Sequence, residues 1–180
     1  MIAALFSLIR WSLFIAVIAI GVHVMTLYYL PGMLMAQAMD GAARGIGYNT
    51  MSFPQRSDAS TRLMARPNPD VLVSTCVFNL AQNQLLIEAP VPSQGYWSLT
   101  IYGEDASPFY FLTNETDGGK QLSALLVEPG GTPHATPGAK PIQSPSFNGI
   151  ILIRTLIDNE ASLAESDRVR HQASCRAIPR

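Results

Sequence analysis

From Trp11 to Leu30 the chain runs without a formal charge, and Met1 to Ile9 in front of it is also mostly apolar. A hydrocarbon core of about 30 Å takes about 20 helical residues at about 1.5 Å each, so this run predicts one N-terminal transmembrane helix. Leu30-Pro31-Gly32 is a natural place for that helix to stop. Trp11 at one end, and Tyr28 and Tyr29 at the other, stand where amphipathic rings settle at a membrane interface. Arg10 and the terminal amine lie on one side of the run, while beyond it Arg44 is partly offset by Asp40. The positive-inside rule then expects a single-pass bacterial inner-membrane protein with its N-terminus in the cytoplasm and its bulk in the periplasm.

A cleaved signal peptide competes with this reading. Ala36-Gln37-Ala38 fits a small-x-small cleavage pattern, with Arg10 as a thin basic region, and cleavage there makes Met39 the first residue. The apolar run is longer than a usual signal core, however, and Met33, Leu34 and Met35 extend it past Pro31. The retained anchor is therefore the favoured expectation.

Within the span, Ala16, Ala19 and His23 fall at helical i, i+3, i+7 spacing and share one face. Small residues let helices approach closely, and an intramembrane histidine either bonds backbone or a neighbouring helix or ligates a haem or chlorin. The plainer of these, a hydrogen bond, is preferred, and no cofactor is expected. Arg10, Trp11, Ala16, Ala19, His23, Tyr28 and Tyr29 are thus the candidate membrane and partner-helix residues.

The rest of the chain has room for one domain. With 180 residues, an anchor of about 30 leaves enough chain to bury a core. Charges nearly balance, 12 Lys+Arg against 13 Asp+Glu, and no basic patch points to nucleic acid as a partner. The expected divisions are residues 1–31 as anchor, 32–65 as a membrane-proximal helix and linker, and 66–180 as a periplasmic β-domain. Gly32 to Gly47 reads as a short amphipathic helix near the membrane surface, ended by Gly45 or Gly47. Arg66-Pro67-Asn68-Pro69-Asp70 is a stiff turn before the core.

Beyond that turn, short apolar runs alternate with turn clusters. Cys76 to Leu80, Gln84 to Glu88, Tyr96 to Tyr102, Phe109 to Thr113, Leu122 to Val127 and Ile150 to Ile157 read as strands. The last is mostly apolar and so is expected at the centre of a sheet. Ala81-Gln82-Asn83 fits a hairpin or loop, and Pro129 to Pro145 a long surface loop. Asn159 is placed to cap a final helix from Glu160 to about His171. The fold class expected is mainly β: a sandwich-like antiparallel domain, preceded by one transmembrane helix and carrying a short C-terminal helix.

Chemistry-bearing residues are sparse. Cys76 and Cys175 are separated by almost the whole domain, and a periplasmic compartment permits a bridge between them. The alternative is two unrelated thiols, one buried and one on a polar tail. There is no nucleophile elbow, phosphate loop, zinc pattern or dinucleotide fingerprint. Asp70, Glu104, Asp105 and Asp158 are acids in turns and caps, where no catalytic explanation is needed; His134 and His171 read as solvated. Tyr96, Trp97, Tyr102, Phe109, Tyr110 and Phe111 form an aromatic-dense stretch, the first five of them the candidate contact residues. Strand alternation sends about half of such residues to a core and leaves the others for a contact patch, whereas a two-sided core would take them all.

Several of these segments resemble a known family. Pro67-Asn68-Pro69-Asp70, Ser74-Thr75-Cys76-Val77-Phe78-Asn79-Leu80, Ile87-Glu88-Ala89-Pro90 and Tyr96-Trp97-Ser98-Leu99-Thr100-Ile101-Tyr102 look like the "domain of unknown function 1254" family, in its short, membrane-anchored alphaproteobacterial form. Ala173-Ser174-Cys175 takes the place of that form's C-terminal Ala-x-Cys. Asn79 and Gly103 stand where the family often carries Asp, so any ligand role of those acids is lost here. The resemblance implies a sandwich-like β-domain at the cell envelope and no established reaction. The function expected is a non-catalytic accessory or structural subunit docking on a larger integral membrane complex. The competing expectation is a small-ligand-binding envelope protein or enzyme that uses an aromatic-lined groove.

Overall fold

Alternating side chains close a core between two sheets. The computed structural model describes residues 2–58, 68–93, 95–117 and 121–179. The chain begins with α1 (Ile2–Ala43) and β1 (Met51–Ser52). Next come β2 (Val71–Asn79), β3 (Asn83–Pro90), β4 (Trp97–Gly103) and β5 (Pro108–Thr113). The remainder is α2 (Asn114–Asp117), β6 (Gln121–Val127), β7 (Lys140–Gln143), β8 (Asn148–Leu156), α3 (Leu163–Arg170) and β9 (Ser174–Pro179). One sheet has the order β1-β2-β8-β4-β5 and the other β7-β6-β3-β9. All pairings are antiparallel except β6 with β7. Mainly β, two packed sheets, one N-terminal helix and one short C-terminal helix is the fold read from the sequence.

Strand period two explains the core. Cys76, Phe78, Leu99, Ile101, Ile151 and Ile153 from the first sheet face Leu85, Ile87, Leu122, Ala124, Leu126 and Cys175 from the second. β8 does lie centrally, between β2 and β4. Its Gly149 is where backbones come closest: a Cβ there would collide with the Tyr102 carbonyl and lie 2.5 Å from Phe78 Cζ. Glycine is needed at that position for space rather than for torsional freedom.

Several expectations need correction. The first helix does not stop at Pro31 but continues to Ala43 as one element. Proline removes one intrahelical bond, a loss that membrane helices tolerate, and the following turns are held by packing against the first sheet. The separate amphipathic helix is thus the end of α1, with its Met35/Met39 face turned to the first sheet and Met33 and Leu34 exposed. It ends as expected at a glycine, where Gly47 N–H donates to the Ala43 carbonyl at 2.8 Å and Gly45 and Gly47 take positive φ.

Of the hairpin or loop expected at Ala81-Gln82-Asn83, it is a loop that forms: β2 pairs with β8 in one sheet and β3 with β6 and β9 in the other, so the chain passes between the sheets there. The Pro129–Pro145 loop contains β7, and the polar tail after α3 contains β9. Both are edge strands held by a single neighbour, β7 by the preceding β6 and β9 by the distant β3, which hydrophobic period alone does not signal. The final helix starts at Leu163, with Asn159 Oδ1 accepting from Ser162 N–H at 3.0 Å in the turn before it. Of the stiff turn, Arg66 and Pro67 lie outside the described residues; Asn68 Oδ1 accepts from Asp70 N–H at 2.9 Å in the remainder.

Candidate functional site

The outstanding feature is how α1 joins the domain. Helical spacing puts Met35 and Met39 on one face, and both are buried against Val77 and Ile150, with Ala42, Ala43, Tyr102, Ala106 and Leu152 around them. These sheet residues alternate with core residues, so they lie on the outer face of the first sheet. At Gly32 the helix passes the β4–β5 hairpin, where a Cβ would sit 3.7 Å from the Glu104 carbonyl oxygen. The helix therefore crosses the sheet from hairpin to β2 and is part of the domain for its last three turns. Its remaining length is exposed: Trp11, Ala16, Ala19, His23, Tyr28 and Tyr29 all lie open on α1, as does Arg10. Leu5–Ala43 is long and apolar enough to cross a membrane.

Cys76 and Cys175 lie at disulfide distance, with Cα atoms 6.5 Å apart across 99 residues of sequence. Cys76 belongs to β2 and Cys175 to β9, so the pair joins the two sheets rather than a floppy tail to a strand.

The aromatic stretch does not form one patch. Trp97 is 2% exposed and belongs to the core, so it cannot contact a partner and is removed from that set. Phe109 and Tyr110 are half-buried against the same core, and Tyr102 sits under the end of α1. Lys140 of β7 lies 5.7 Å over the Tyr110 ring, tying the edges of the two sheets together. The open rings of this stretch are Tyr96 at 46% and Phe111, which the candidate contact set left out, at 59% exposure. β5 is an edge strand, and its alternation opposite Leu99, Thr100 and Ile101 turns Leu112 and Tyr110 inward and Phe111 outward, while the register shift opposite Ile101/Tyr102 lets Phe109 pack on the core as well.

The turn acids do not converge. Asp70, just before β2, and Asp158, just after β8, lie at one end of the β2–β8 ladder, while Glu104 and Asp105, just after β4, lie at the other. Asp105 serves its own turn: Ser107 N–H donates to its carboxylate at 3.0 Å, which holds Asp105 below the usual carboxylate range. Among the described residues no group of three His, Cys, Asp or Glu side chains is placed to hold a metal. His134 lies on the loop pinned by Gln84, whose Oε1 accepts from its backbone N–H at 2.8 Å.

Sequence reasoning missed Arg170. It is buried, donating to the Val73 carbonyl at 2.8 Å, the Pro54 carbonyl at 2.9 Å and Asp167 at 2.6 Å. His171 beside it is half-exposed and stacks on Phe53 at 4.3 Å. A guanidinium can satisfy three backbone and carboxylate acceptors at once, which is how a charged residue comes to lock a helix onto a strand edge.

Against known proteins, the family model described as "Protein of unknown function (DUF1254)" matches residues 48–177. No curated protein matches the sequence. Among solved structures, the fold is similar to the VPA0106 protein from Vibrio parahaemolyticus, with a TM-score of 0.68 and 13% identity over 84% of this chain and 36% of that one. A putative uncharacterized protein from Burkholderia cenocepacia is similar with a TM-score of 0.49 and 14% identity, over 84% of this chain and 40% of that one. The chain thus spans well under half the length of either.

Proposed function

The chain belongs to the DUF1254 family, and we propose that it is a membrane-anchored accessory subunit, docking on a larger integral membrane complex without catalysing a reaction. The observation that carries this reading is the continuity of α1 with the domain. At 42 residues the helix is about 63 Å long, twice what a bilayer core needs. A mere tether would gain nothing from burying Met35 and Met39 on the sheet, whereas a subunit that must present one face at fixed height and orientation would. Ala16 and Ala19 open a close-packing face on the span, and an intramembrane His23 on that face calls for a polar partner.

The same features support a single-pass arrangement in the bacterial inner membrane, N-terminus inside and β-domain in the periplasm. Arg10 supplies the positive side, and the cysteine pair suits an oxidising compartment. Retention of the helix is supported too, since cleavage after Ala38 would strip Met35 from Val77 and Ile150.

The test is affinity purification of the full chain in mild detergent, compared with Ala16→Leu/Ala19→Leu and His23→Leu variants. A defined set of integral membrane proteins should accompany the wild type and fall away with the variants. A monomeric, partner-free protein in the native membrane, or retention of the same set by every variant, would overturn the reading.

A further inference from the structure

Beside the end of α1, the outer face of the first sheet carries a charge with too few partners. Strand alternation turns Arg154 outward between the core residue Ile153 and Thr155. Register places it directly between Val73 of β2 and Ser98 of β4, with Thr113 of β5 beyond Ser98. The neighbouring row is Thr75, Leu152, Thr100 and Phe111. Arg154 is half-buried, and it donates from Nη1 to Thr100 Oγ1 at 3.3 Å. Among the described residues no carboxylate lies within ion-pair distance of it, whereas Arg56, Arg168, Arg170 and Arg176 each have one.

Ser98 is the second deficit on this face. It is 0% exposed, and its hydroxyl has no hydrogen-bond partner. Buried hydroxyls are normally satisfied, so an orphan directly across the ladder from an uncompensated guanidinium needs an explanation. One bound oxyanion accounts for both, taking the guanidinium fork and, as the flexible Arg154 side chain turns aside, the Ser98 hydroxyl between Arg154 and Thr113.

We propose that this face is a binding site for a small carboxylate with an apolar body, held by Arg154, Ser98 and Thr100. The site offers a single positive charge, which matches a carboxylate rather than a phosphate dianion, and a planar fork that suits its two oxygens. Around the charge stand Val73, Leu152 and the exposed ring of Phe111, which supply an apolar rim for the rest of the ligand. The site goes beyond the docking role and does not depend on it.

The experiment uses the full chain in lipid nanodiscs, titrated with hexanoate, benzoate, hexanamide and inorganic phosphate and read by saturation-transfer NMR against empty nanodiscs. The carboxylates should bind saturably, and neither the neutral amide nor phosphate should compete with them. Arg154→Gln should weaken binding at least about tenfold, the scale of a charge-assisted contact. Ser98→Ala separates ligand contact from folding. It removes a hydroxyl that bonds nothing, so the ligand-free thermal midpoint should hold or rise while carboxylate affinity falls severalfold. Absence of carboxylate binding, equal binding of hexanamide, preference for phosphate, or unchanged affinity in Ser98→Ala would each overturn the proposal.

Discussion

Cys76 on β2 and Cys175 on β9 sit in opposite sheets, so their link runs through the sandwich instead of along one sheet. The 99-residue separation closes nearly the whole domain. In the chain-entropy view, so long a loop stabilises mainly by restricting the unfolded chain. β9 is an edge strand paired only with β3 among the strands of its sheet, so the bridge also holds a strand with few other restraints. Replacing both cysteines by serine should lower the unfolding free energy by about 2–4 kcal/mol. Chemical denaturation of the full chain in detergent, with and without reductant, would measure this. Unchanged stability would mean that β9 is held by its ladder and by Ala173 alone.

The junction between α1 and the first sheet makes a more local prediction. Truncating a buried methionine to alanine typically costs about 2 kcal/mol or more. Met35→Ala/Met39→Ala should therefore release the end of α1 while leaving the core beneath Trp97 and Phe78 intact. Hydrogen exchange should rise at least about tenfold at amides 33–43 and stay unchanged in β3 and β6. Equal exchange in wild type and variant would show that Val77 and Ile150 do not hold the helix.

Asp105 predicts a pH effect confined to the β4–β5 hairpin. Its carboxylate accepts from Ser107 N–H, and that bond depresses its folded pKa. On acidification the unfolded chain takes up the proton first. The stabilisation is thus present above the unfolded carboxylate pKa of about 3.9 and is lost as pH falls through the depressed folded value. Asp105→Asn should be less stable than wild type at pH 6, and the difference should shrink below about pH 4 and vanish at the acid end. Thermal midpoints of the two proteins across pH 2 to 6 would show it, and a gap that persists undiminished at the acid end would contradict the assignment.

The elements that could be read in advance share a cause. Trp11–Leu30 is legible because spanning a bilayer is a matter of length and composition along one segment. The runs now seen as β2, β3, β4, β5, β6 and β8 are legible because each is a short apolar, β-branched or aromatic run bounded by turn residues, a signal carried by the segment's own composition. The same holds for the Gly45–Gly47 stop after α1. β7 and β9 were hidden in a Gly/Pro loop and a polar tail, since an edge strand owes its existence to a neighbour's unpaired backbone rather than to its own pattern.

The candidate sites divide in the same way. That Cys76 and Cys175 are able to pair follows from their number and spacing; that they join different sheets follows only from which strand neighbours which. Trp97 and Phe111 are equally aromatic in sequence, yet one is core and the other open, because strand register chooses the face. Arg170 and Arg154 are both arginines on predicted elements, and only packing makes the first a fully bonded lock and the second a half-buried charge beside an orphan hydroxyl. By itself the sequence determined an apolar span, a mainly β domain and a cysteine pair, since those depend on local pattern and composition. The continuity of α1 through Pro31 and its seat on Val77 and Ile150 were decided by tertiary structure, because contacts made by distant residues outweigh one lost helical hydrogen bond.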